Sequence, residues 1–148
     1  MNSDKGICVL HQTKYKGHIL FTQMKKYCKI EIKLEGLPPG KRGFHIHEKG
    51  NLLDGCKSLC AHYNPHNNNH GGLNDEVSHA GDLGNIEVNT DGKVEMVIKA
   101  KKITVKEIIG RSIVIHQKED DLGNGGDEES LRTGNAGKRI ACGIIGYY

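Results

Sequence analysis

The sequence predicts an all-β protein, an antiparallel sandwich or barrel of about eight short strands with two long loops. Glycine is abundant, with 20 residues in 148, whereas only 5% of the residues are aromatic, and this balance suits many tight turns. Short segments of alternating apolar and polar residues recur along the chain, as strands require. At this length we expect one domain, residues 1–148.

Turn signals separate the alternating segments. A Pro-Pro-Gly cluster at residues 38–40 ends the first group of strands, and Asp-Gly at residues 91–92 is a hairpin signal. The alternation is clearest where Ile30, Ile32 and Leu34 share one strand face. The predicted strands lie within residues 6–11, 18–22, 29–34, 43–47, 86–89, 93–99, 113–116 and 140–145.

Two long segments lack a periodic apolar pattern. Residues 48–84 are rich in Gly, Asn, His and Asp, and residues 119–139 are rich in acidic residues and Gly. Loops of this length inside a compact domain are usually functional or disordered.

The net charge of +3 is unevenly distributed. Residues 1–43 carry nine basic and three acidic residues, residues 44–90 carry two and six, and residues 91–148 carry ten and nine. The lysines of the basic third are scattered among apolar residues without interleaved aromatic residues. We therefore interpret them as a solvated strand face and expect no nucleic-acid partner.

The compartment is predicted from what the sequence lacks. No apolar run approaches the roughly 18 residues that cross a bilayer, so no membrane partner is expected. Residues 1–5 lead into no signal-peptide apolar segment, which makes the cytoplasm the default compartment. The cysteines match no CxxC zinc pattern, and in a reducing compartment they would default to free thiols. They are Cys8, Cys28, Cys56, Cys60 and Cys142.

Histidines on two predicted strands are placed to come together. Side chains two apart on a strand share a face, so His45 and His47 stand together on the side opposite Phe44. The same alternation in residues 113–116 directs His116 outward, where it can join that pair. Three imidazoles are thus expected to meet outside the core, at a place open to water and to redox chemistry.

The first long loop adds further candidate metal ligands. Their spacing is too wide for a zinc finger but suits a loop wrapped around a cation. A carboxylate among imidazoles suits zinc, whereas an all-imidazole set suits copper. The residues therefore indicate two unlike metal sites without indicating a reaction. The loop candidates are His62, His66, His70, His79 and Asp82.

Four motifs, in the same order along the chain, resemble those of the copper/zinc superoxide dismutases. They read GFHIHE at residues 43–48, HAGDLGN at 79–85, DDLG at 120–123 and GNAGKRIACGIIG at 134–146. The resemblance implies an eight-stranded antiparallel Greek-key β-barrel or sandwich of the immunoglobulin-like type. Residues 48–84 would then be a metal loop, and residues 119–139 an electrostatic loop.

The resemblance also implies two ligand sets that share one residue. His62 would bridge the two metals as imidazolate, and His66 has no matching ligand role. The implied copper ligands are His45, His47, His62 and His116, and the implied zinc ligands are His62, His70, His79 and Asp82. Asp120 would accept hydrogen bonds from the outer nitrogens of His45 and His70.

The implied activity is the dismutation of superoxide. One superoxide would reduce Cu(II) to Cu(I) and leave as dioxygen, and a second would take that electron with two protons and leave as hydrogen peroxide. His62 would carry a proton, zinc would be mainly structural, and Arg139 would attract and position the anion. The residues matched to the electrostatic guidance of superoxide are Glu128, Glu129, Arg132 and Thr133.

The resemblance implies a disulfide between Cys56 and Cys142, worth roughly 4 kcal/mol in the chain-entropy model. The chain departs from the family pattern at Cys60 and Ala61, where Gly and Pro are usual, so Cys60 is a possible competitor for Cys142. Lys49 and Tyr147 replace apolar residues of the family's dimer contact, whereas Ile109 and Gly110 keep its other part.

Three interpretations remain for the function. The first is an enzyme that acts as a homodimer and receives copper from a copper chaperone. The second is a non-catalytic metal-binding member or chaperone decoy, since such relatives keep the fold but lose ligands or the arginine. The third is a structural β-sandwich with surface histidines, which leaves the matches at Asp120 and Arg139 unexplained.

Overall fold

Eight antiparallel strands form a nearly closed barrel in the computed structural model, which describes residues 4–148. Residues 1–3, on which the compartment prediction partly rests, lie outside the described residues. The strands are β1 Lys5–Cys8, β2 Lys16–Gln23, β3 Cys28–Glu35, β4 Gly40–His47, β5 Asp82–Val88, β6 Lys93–Ala100, β7 Ser112–His116 and β8 Arg139–Tyr147. The helices are a 3-10 helix Gly55–Leu59, α1 Val105–Ile108 and α2 Ser130–Thr133.

The strand order is that of a Greek key. Neighbouring strands follow the order β5-β4-β7-β8-β1-β2-β3-β6, so β4 pairs with β7 and β3 pairs with β6 across long connections. The two ends of this order, β5 and β6, are consecutive in sequence and meet at a turn where Asn89 N–H donates to the Lys93 carbonyl at 2.9 Å. The predicted all-β antiparallel fold is confirmed.

Alternation along the strands builds the core. Inward-facing Phe44 and Ile46 of β4 are fully buried, as are Ile113 and Ile115 of β7, and all four belong to the main apolar cluster. The outward-facing side chain between the two isoleucines, Val114, belongs instead to a small second cluster with Leu59 and Cys142. That second cluster packs the 3-10 helix of the first long loop onto the outside of the barrel.

A disulfide fixes the same loop covalently. Cys56 of the 3-10 helix is joined to Cys142 of β8, with 5.9 Å between their Cα atoms and a sequence separation of 86. Closing a loop of that length removes about 4–5 kcal/mol of unfolded-chain entropy. Cys60 is exposed and free, and Cys8 and Cys28 are buried and free. Burial raises the pKa of both buried thiols to about 12, which keeps them protonated and inert.

The differences from the sequence-based boundaries have local causes. β5 begins at Asp82, inside the segment predicted as loop to residue 84, because it pairs with β4 across a bulge at His45. The two α-helices span four residues each, which is too short to show a helical apolar period in the sequence. None of the helices in residues 4–148 is long and apolar enough to cross a bilayer.

Candidate metal centre

Strands β4 and β7 bring three histidines together. They pair antiparallel, with His45 opposite Val114 and His47 opposite Ser112. An irregularity in the pairing of β7 with β8 follows Ile115, next to His116. The three imidazoles therefore lie on the outer face of the barrel, as the alternation predicts.

The three imidazoles are buried, so the prediction that they are open to water is wrong. The exposed fraction is 0% for His45, 1% for His47 and 4% for His116. They lie outside the barrel core, but the two long loops fold over them. A cavity of about 1090 Å³ reaches them, lined by His47 and His116 together with His62 of the first loop.

Backbone carbonyls fix the orientation of two of these rings. His47 Nδ1 lies 2.8 Å from the Cys60 carbonyl oxygen, and His116 Nδ1 lies 3.0 Å from that of Gly137. A carbonyl can only accept, so both Nδ1 atoms carry hydrogen and both Nε2 atoms present lone pairs. Those two Nε2 atoms face each other at 3.4 Å. Two lone pairs cannot bond each other, so this contact fits two ligands of one cation.

One carboxylate orients two further rings in the same way. His45 Nε2 lies 2.5 Å from one oxygen of Asp120, and His70 Nε2 lies 2.7 Å from the other. The Nδ1 atoms of both rings are buried without a hydrogen-bond partner, a costly state for a polar atom. His70 Nδ1 is 2.9 Å from Asp82 Oδ1, but not in hydrogen-bond geometry. A metal ion would satisfy both orphaned nitrogens.

A second group of ligand atoms surrounds Asp82. Its Oδ2 accepts from the backbone N–H groups of Gly71 and His79, at 3.0 and 2.8 Å. Its Oδ1 lies 3.0 Å from His62 Nδ1 and 3.2 Å from His79 Nδ1, and these two nitrogens are 3.1 Å apart. The backbone bonds thus hold the carboxylate so that one oxygen faces the nitrogens.

The two groups overlap at His45 and His62. Ligand atoms of the first group all lie within 4.8 Å of one another, as do those of the second. The groups are His45, His47, His62 and His116, and His45, His62, His70 and Asp82. His45 has only Nδ1 left beside its bond to Asp120 and can serve one ion. His62 places Nδ1 among the second group and has Nε2 free for the first.

Burial sets the charge of these rings. It lowers the pKa of His45, His47 and His62, and it lowers that of His116 to about 4, so all four are neutral at pH 7. Burial also opposes the charged form of His70, but the hydrogen bond to Asp120 and the negative charges of Asp82 and Asp120 outweigh it and raise the pKa to about 9. A cation bound there would take the place of that proton.

The donor chemistry fits the two metals that the sequence indicates. Four imidazoles suit copper, whereas imidazoles with one carboxylate suit zinc. The structure brings the predicted ligands together, and His79, which is in neither group, lies beside the second one through Asp82 and His62. His66, like His11 and His18 on the early part of the chain, is exposed and belongs to neither group.

Arg139 lies in the wall of the cavity and is held by the loop that carries the disulfide. Its Nη1 donates to the Cys56 carbonyl at 2.8 Å, and its Nη2 donates to the Cys60 carbonyl at 2.5 Å. Burial lowers its pKa, but a guanidinium remains charged at neutral pH. Its remaining N–H groups are available to an anion in the cavity.

Three of the four residues matched to electrostatic guidance line the cavity, and the fourth does not. Glu129, Arg132 and Thr133 line the cavity, whereas Glu128 does not. Arg132 is bound to Glu129 in an exposed ion pair, and such pairs contribute little to stability. Thr133 Oγ1 donates to a Glu129 carboxylate oxygen at 3.0 Å.

Cys60 has a backbone conformation that glycine adopts more readily. Its φ is +65° and its ψ is −152°, a region that costs a residue with a side chain about 1–3 kcal/mol. Its carbonyl accepts from both His47 and Arg139, so the position couples a metal ligand to the cavity arginine. The loop is therefore held in a glycine-like path although glycine is absent.

Sequence reasoning missed residues that support Asp120. Asn85 accepts from the Asp120 backbone N–H at 2.7 Å and donates to its carbonyl at 3.0 Å. A Cβ on Gly134 would lie 2.1 Å from Asp120 Oδ1 and 2.5 Å from His70 Nε2. Both residues fall within the quoted motifs, but nothing in the sequence alone shows that they contact Asp120.

Comparison with known proteins gives one consistent family. A family model described as copper/zinc superoxide dismutase matches residues 15–145. An extracellular superoxide dismutase [Cu-Zn] of Drosophila melanogaster is 50% identical over 139 residues, covering 90% of this chain and 77% of that protein. A superoxide dismutase [Cu-Zn] of Paramecium bursaria Chlorella virus 1 is 48% identical over 136 residues, covering 89% and 73%.

A solved structure shares the fold at high coverage. It is titled as a crystal structure of the clock protein EA4, and it matches with a TM-score of 0.93 and 40% sequence identity. The match covers 98% of this chain and 95% of the other.

Replacing Asp120 by asparagine should weaken metal binding. An amide has one acceptor and one donor end, so the ring facing the NH2 group must move its hydrogen to Nδ1 and lose the lone pair aimed at the metal. We expect Asp120→Asn to lower zinc and copper affinity about 10–100-fold, measured by competition with a chelator. Asp127→Asn is the matched control in the same loop, because Asp127 contacts Asn135 and Ser130 and no histidine. Equal affinities for the two variants would contradict the assignment.

Replacing Cys60 by glycine should stabilise the metal-free protein. Glycine relieves the positive φ, and the exposed thiol leaves no buried contact behind, so we expect a gain of about 1 kcal/mol in the free energy of unfolding. Cys60→Ser keeps the Cβ and should give no gain. Denaturant unfolding measures the free energy of unfolding of both variants. Equal values for the serine and glycine variants would contradict backbone strain at Cys60.

Proposed function

This chain belongs to the copper/zinc superoxide dismutase family, and we propose that it converts superoxide to dioxygen and hydrogen peroxide in the cavity described above. Two superoxide radicals and two protons give one molecule of each product, so the reaction balances without another reductant. The observation that carries the proposal is the convergence of imidazole lone pairs on the floor of a cavity whose wall holds Arg139.

Each metal has a complete set of residues to hold it. Bound copper would supply one-electron redox chemistry, and bound zinc would supply a fixed charge beside the shared imidazole. His62 is the residue with a nitrogen for each ion. The copper set is His45, His47, His62 and His116. The zinc set is His62, His70, His79 and Asp82, in which His79 Nδ1 takes its place through its distances of 3.1 Å to His62 Nδ1 and 3.2 Å to Asp82 Oδ1.

Charge on the cavity wall favours a small anion. Among the residues that line the cavity, the basic ones outnumber the acidic Glu48 and Glu129, and Glu129 is already paired with Arg132. A cleft lined by one sign of charge raises the local concentration of the opposite ion and its rate of arrival. The basic lining residues are Arg111, Lys118, Arg132, Lys138 and Arg139.

Arg139 and His62 have different tasks in the proposal. Two carbonyl bonds hold the Arg139 guanidinium in place, so its free N–H groups can bind and orient superoxide without a large entropy loss. His62 is neutral at pH 7 because burial lowers its pKa. Its Nε2 can accept a proton and donate it to the reduced oxygen species as hydrogen peroxide forms. Thr133 narrows the cavity rim, and Glu128 acts only through its charge.

The non-catalytic alternative has less support. A decoy that keeps the fold would be expected to lack a ligand or the arginine. Here both ligand groups and Arg139 are present and oriented. The structural β-sandwich alternative leaves the buried, unpartnered Nδ1 atoms of His45 and His70 without a reason.

The compartment stays a prediction. The sequence-based expectation is the cytoplasm, whereas one relative is named an extracellular superoxide dismutase. The chain carries one disulfide, which suits an oxidising compartment, but the family keeps this bond as part of its metal loop. We retain the cytoplasm as the proposal, and loading by a copper chaperone as its companion.

Dismutation by the reconstituted protein is the direct test. The protein loaded with copper and zinc should dismutate superoxide, and Arg139→Ala should lower kcat/KM about tenfold or more with unchanged metal content. His116→Ala should lose copper and retain zinc, because His116 belongs only to the first ligand group. Arg139→Lys keeps the charge but not the two-carbonyl clamp, so we expect an intermediate rate. A wild-type protein that loads both metals fully without turnover would favour the decoy instead.

We also propose a homodimer. Gly50 packs against Gly110, where a Cβ would lie 2.0 Å from its carbonyl oxygen. Leu53, three residues after Gly50, is 92% exposed, and Tyr147 near the end of β8 is 49% exposed. In the proposed dimer a second copy of the chain would cover these side chains. Lys49 adds a charge at the rim.

Sedimentation equilibrium should give twice the monomer mass of 16.3 kDa. Leu53→Ser should weaken the dimer about tenfold. Val97→Ser, which removes an apolar side chain that is 56% exposed on β6, should leave the dimer unchanged. A monomer mass for the wild-type protein at high concentration would overturn this proposal.

A further inference from the structure

One end of the barrel gathers lysines that are far apart in sequence. The β2–β3 turn contributes Lys25 and Lys26, and the segment after β6 contributes Lys101 and Lys106. The two segments are adjacent because Cys28 pairs with Ala100, and because the Val105 N–H donates to the Gln23 side chain at 2.8 Å. These four lysines are exposed, and none forms an ion pair among residues 4–148.

A row of lysines crosses the sheet just before that turn. The register places Lys5 opposite Thr22, Thr22 opposite Lys29, and Lys29 opposite Lys99. Like charges directly opposite each other destabilise a sheet, and Lys29 is relieved only by an ion pair with Glu31 at 3.6 Å. We call the seven lysines of the turn, the following segment and this row the lysine end: Lys5, Lys25, Lys26, Lys29, Lys99, Lys101 and Lys106.

The charge at this end exceeds that of the whole chain. Residues 4–5, 22–31 and 99–107 hold these seven lysines, Lys102 and three acidic residues, a net charge of +5, whereas the chain carries +3, so the remainder carries −2. Glu107 is bound to Tyr63 and Thr104, and Glu31 is bound to Lys29. Neither of these two carboxylates forms an ion pair with Lys25 or Lys26 in the part of the chain that the structure describes. From the sequence, the N-terminal lysines are predicted to form a solvated strand face, because they are far in sequence from the lysines after β6.

An apolar side chain lies at the tip of the same turn. Met24 is 38% exposed beside Lys25 and Lys26, and the turn is closed by the Met24 N–H donating to the Tyr27 carbonyl at 2.9 Å. We propose that the lysine end docks on an acidic phospholipid surface, with its lysines against the anionic headgroups and Met24 among them. An apolar tip within a lysine cluster suits an interface of this kind.

Nucleic acid fits the same end less well. Single-strand binding relies on exposed aromatic faces, and duplex reading relies on a helix or ribbon that enters a groove. Lys99 lies over the Tyr27 ring at 5.4 Å, and Lys5 lies over the Tyr148 ring at 5.8 Å. The helix at this end spans four residues. Surface docking on a membrane needs neither feature and no spanning segment.

Vesicle co-sedimentation of the metal-loaded protein tests the proposal. The protein should sediment with phosphatidylcholine vesicles that contain phosphatidylserine, but not with phosphatidylcholine alone, and added salt should release it. Each lysine near an anionic surface contributes about fivefold in binding, so Lys25→Gln with Lys26→Gln should weaken it about 25-fold. The matched control is Lys16→Gln with Lys93→Gln, which makes the same charge change at the other end of the sheet, where both lysines lie opposite Glu35. This control should leave binding unchanged.

Met24→Ser separates a lipid surface from a soluble polyanion. It should weaken binding to acidic vesicles by about tenfold and leave superoxide turnover unchanged. No sedimentation with acidic vesicles at low salt would overturn the proposal, as would equal losses for the two lysine pairs. Tighter binding to a single-stranded oligonucleotide or a sulfated polysaccharide, dependent on Lys25 and Lys26 but not on Met24, would also overturn it. None of these outcomes depends on dismutation, so the proposed function stands or falls separately.

Discussion

The metal centre depends on one constraint, that a neutral imidazole with one nitrogen donating to an acceptor must present a lone pair at the other. Asp120 imposes this on His45, and on His70 once a cation replaces its proton, and two backbone carbonyls impose it on His47 and His116. Burial keeps most of these rings neutral. The outcome is a set of lone pairs aimed at one another, which is unfavourable until a cation lies between them.

The positions of those hydrogen-bond acceptors depend on the two long loops that carry them. The Cys60 carbonyl belongs to the first loop, which the disulfide and the Leu59 contact attach to β7 and β8. The Gly137 carbonyl and Asp120 belong to the second loop, where Asn85 of β5 holds the Asp120 backbone. Because the Cys60 carbonyl also binds Arg139, the position of a metal ligand and that of the cavity cation are set together.

Much of this arrangement was predictable from local patterns, and the rest was not. Alternation on β4 placed His45 and His47 together, because a strand has a fixed period of two. The carboxylate among the loop histidines indicated a zinc-like site. The burial of those same imidazoles was not predictable, because it depends on how two loops without periodicity fold over a strand. The contacts of Asn85 and Gly134 with Asp120 were not predictable for the same reason, because they join residues 35 and 14 positions apart.

The clustering of charge was likewise not predictable from the sequence, because it depends on which strands lie side by side. In the folded chain, the lysine end and the metal centre are built from different strands. The lysine end is built from β1, β3, β6 and the segments that follow β2 and β6, whereas the metal ligands come from β4, β7 and the first loop. The strand order places β5-β4-β7-β8 and β1-β2-β3-β6 as two successive halves of the barrel. A contact at the lysine end therefore uses different strands from those that hold the cavity. Because salt screens exposed charges over a Debye length of about 8–10 Å, the guidance of an anion into the cavity rests first on the basic residues of the cavity wall itself.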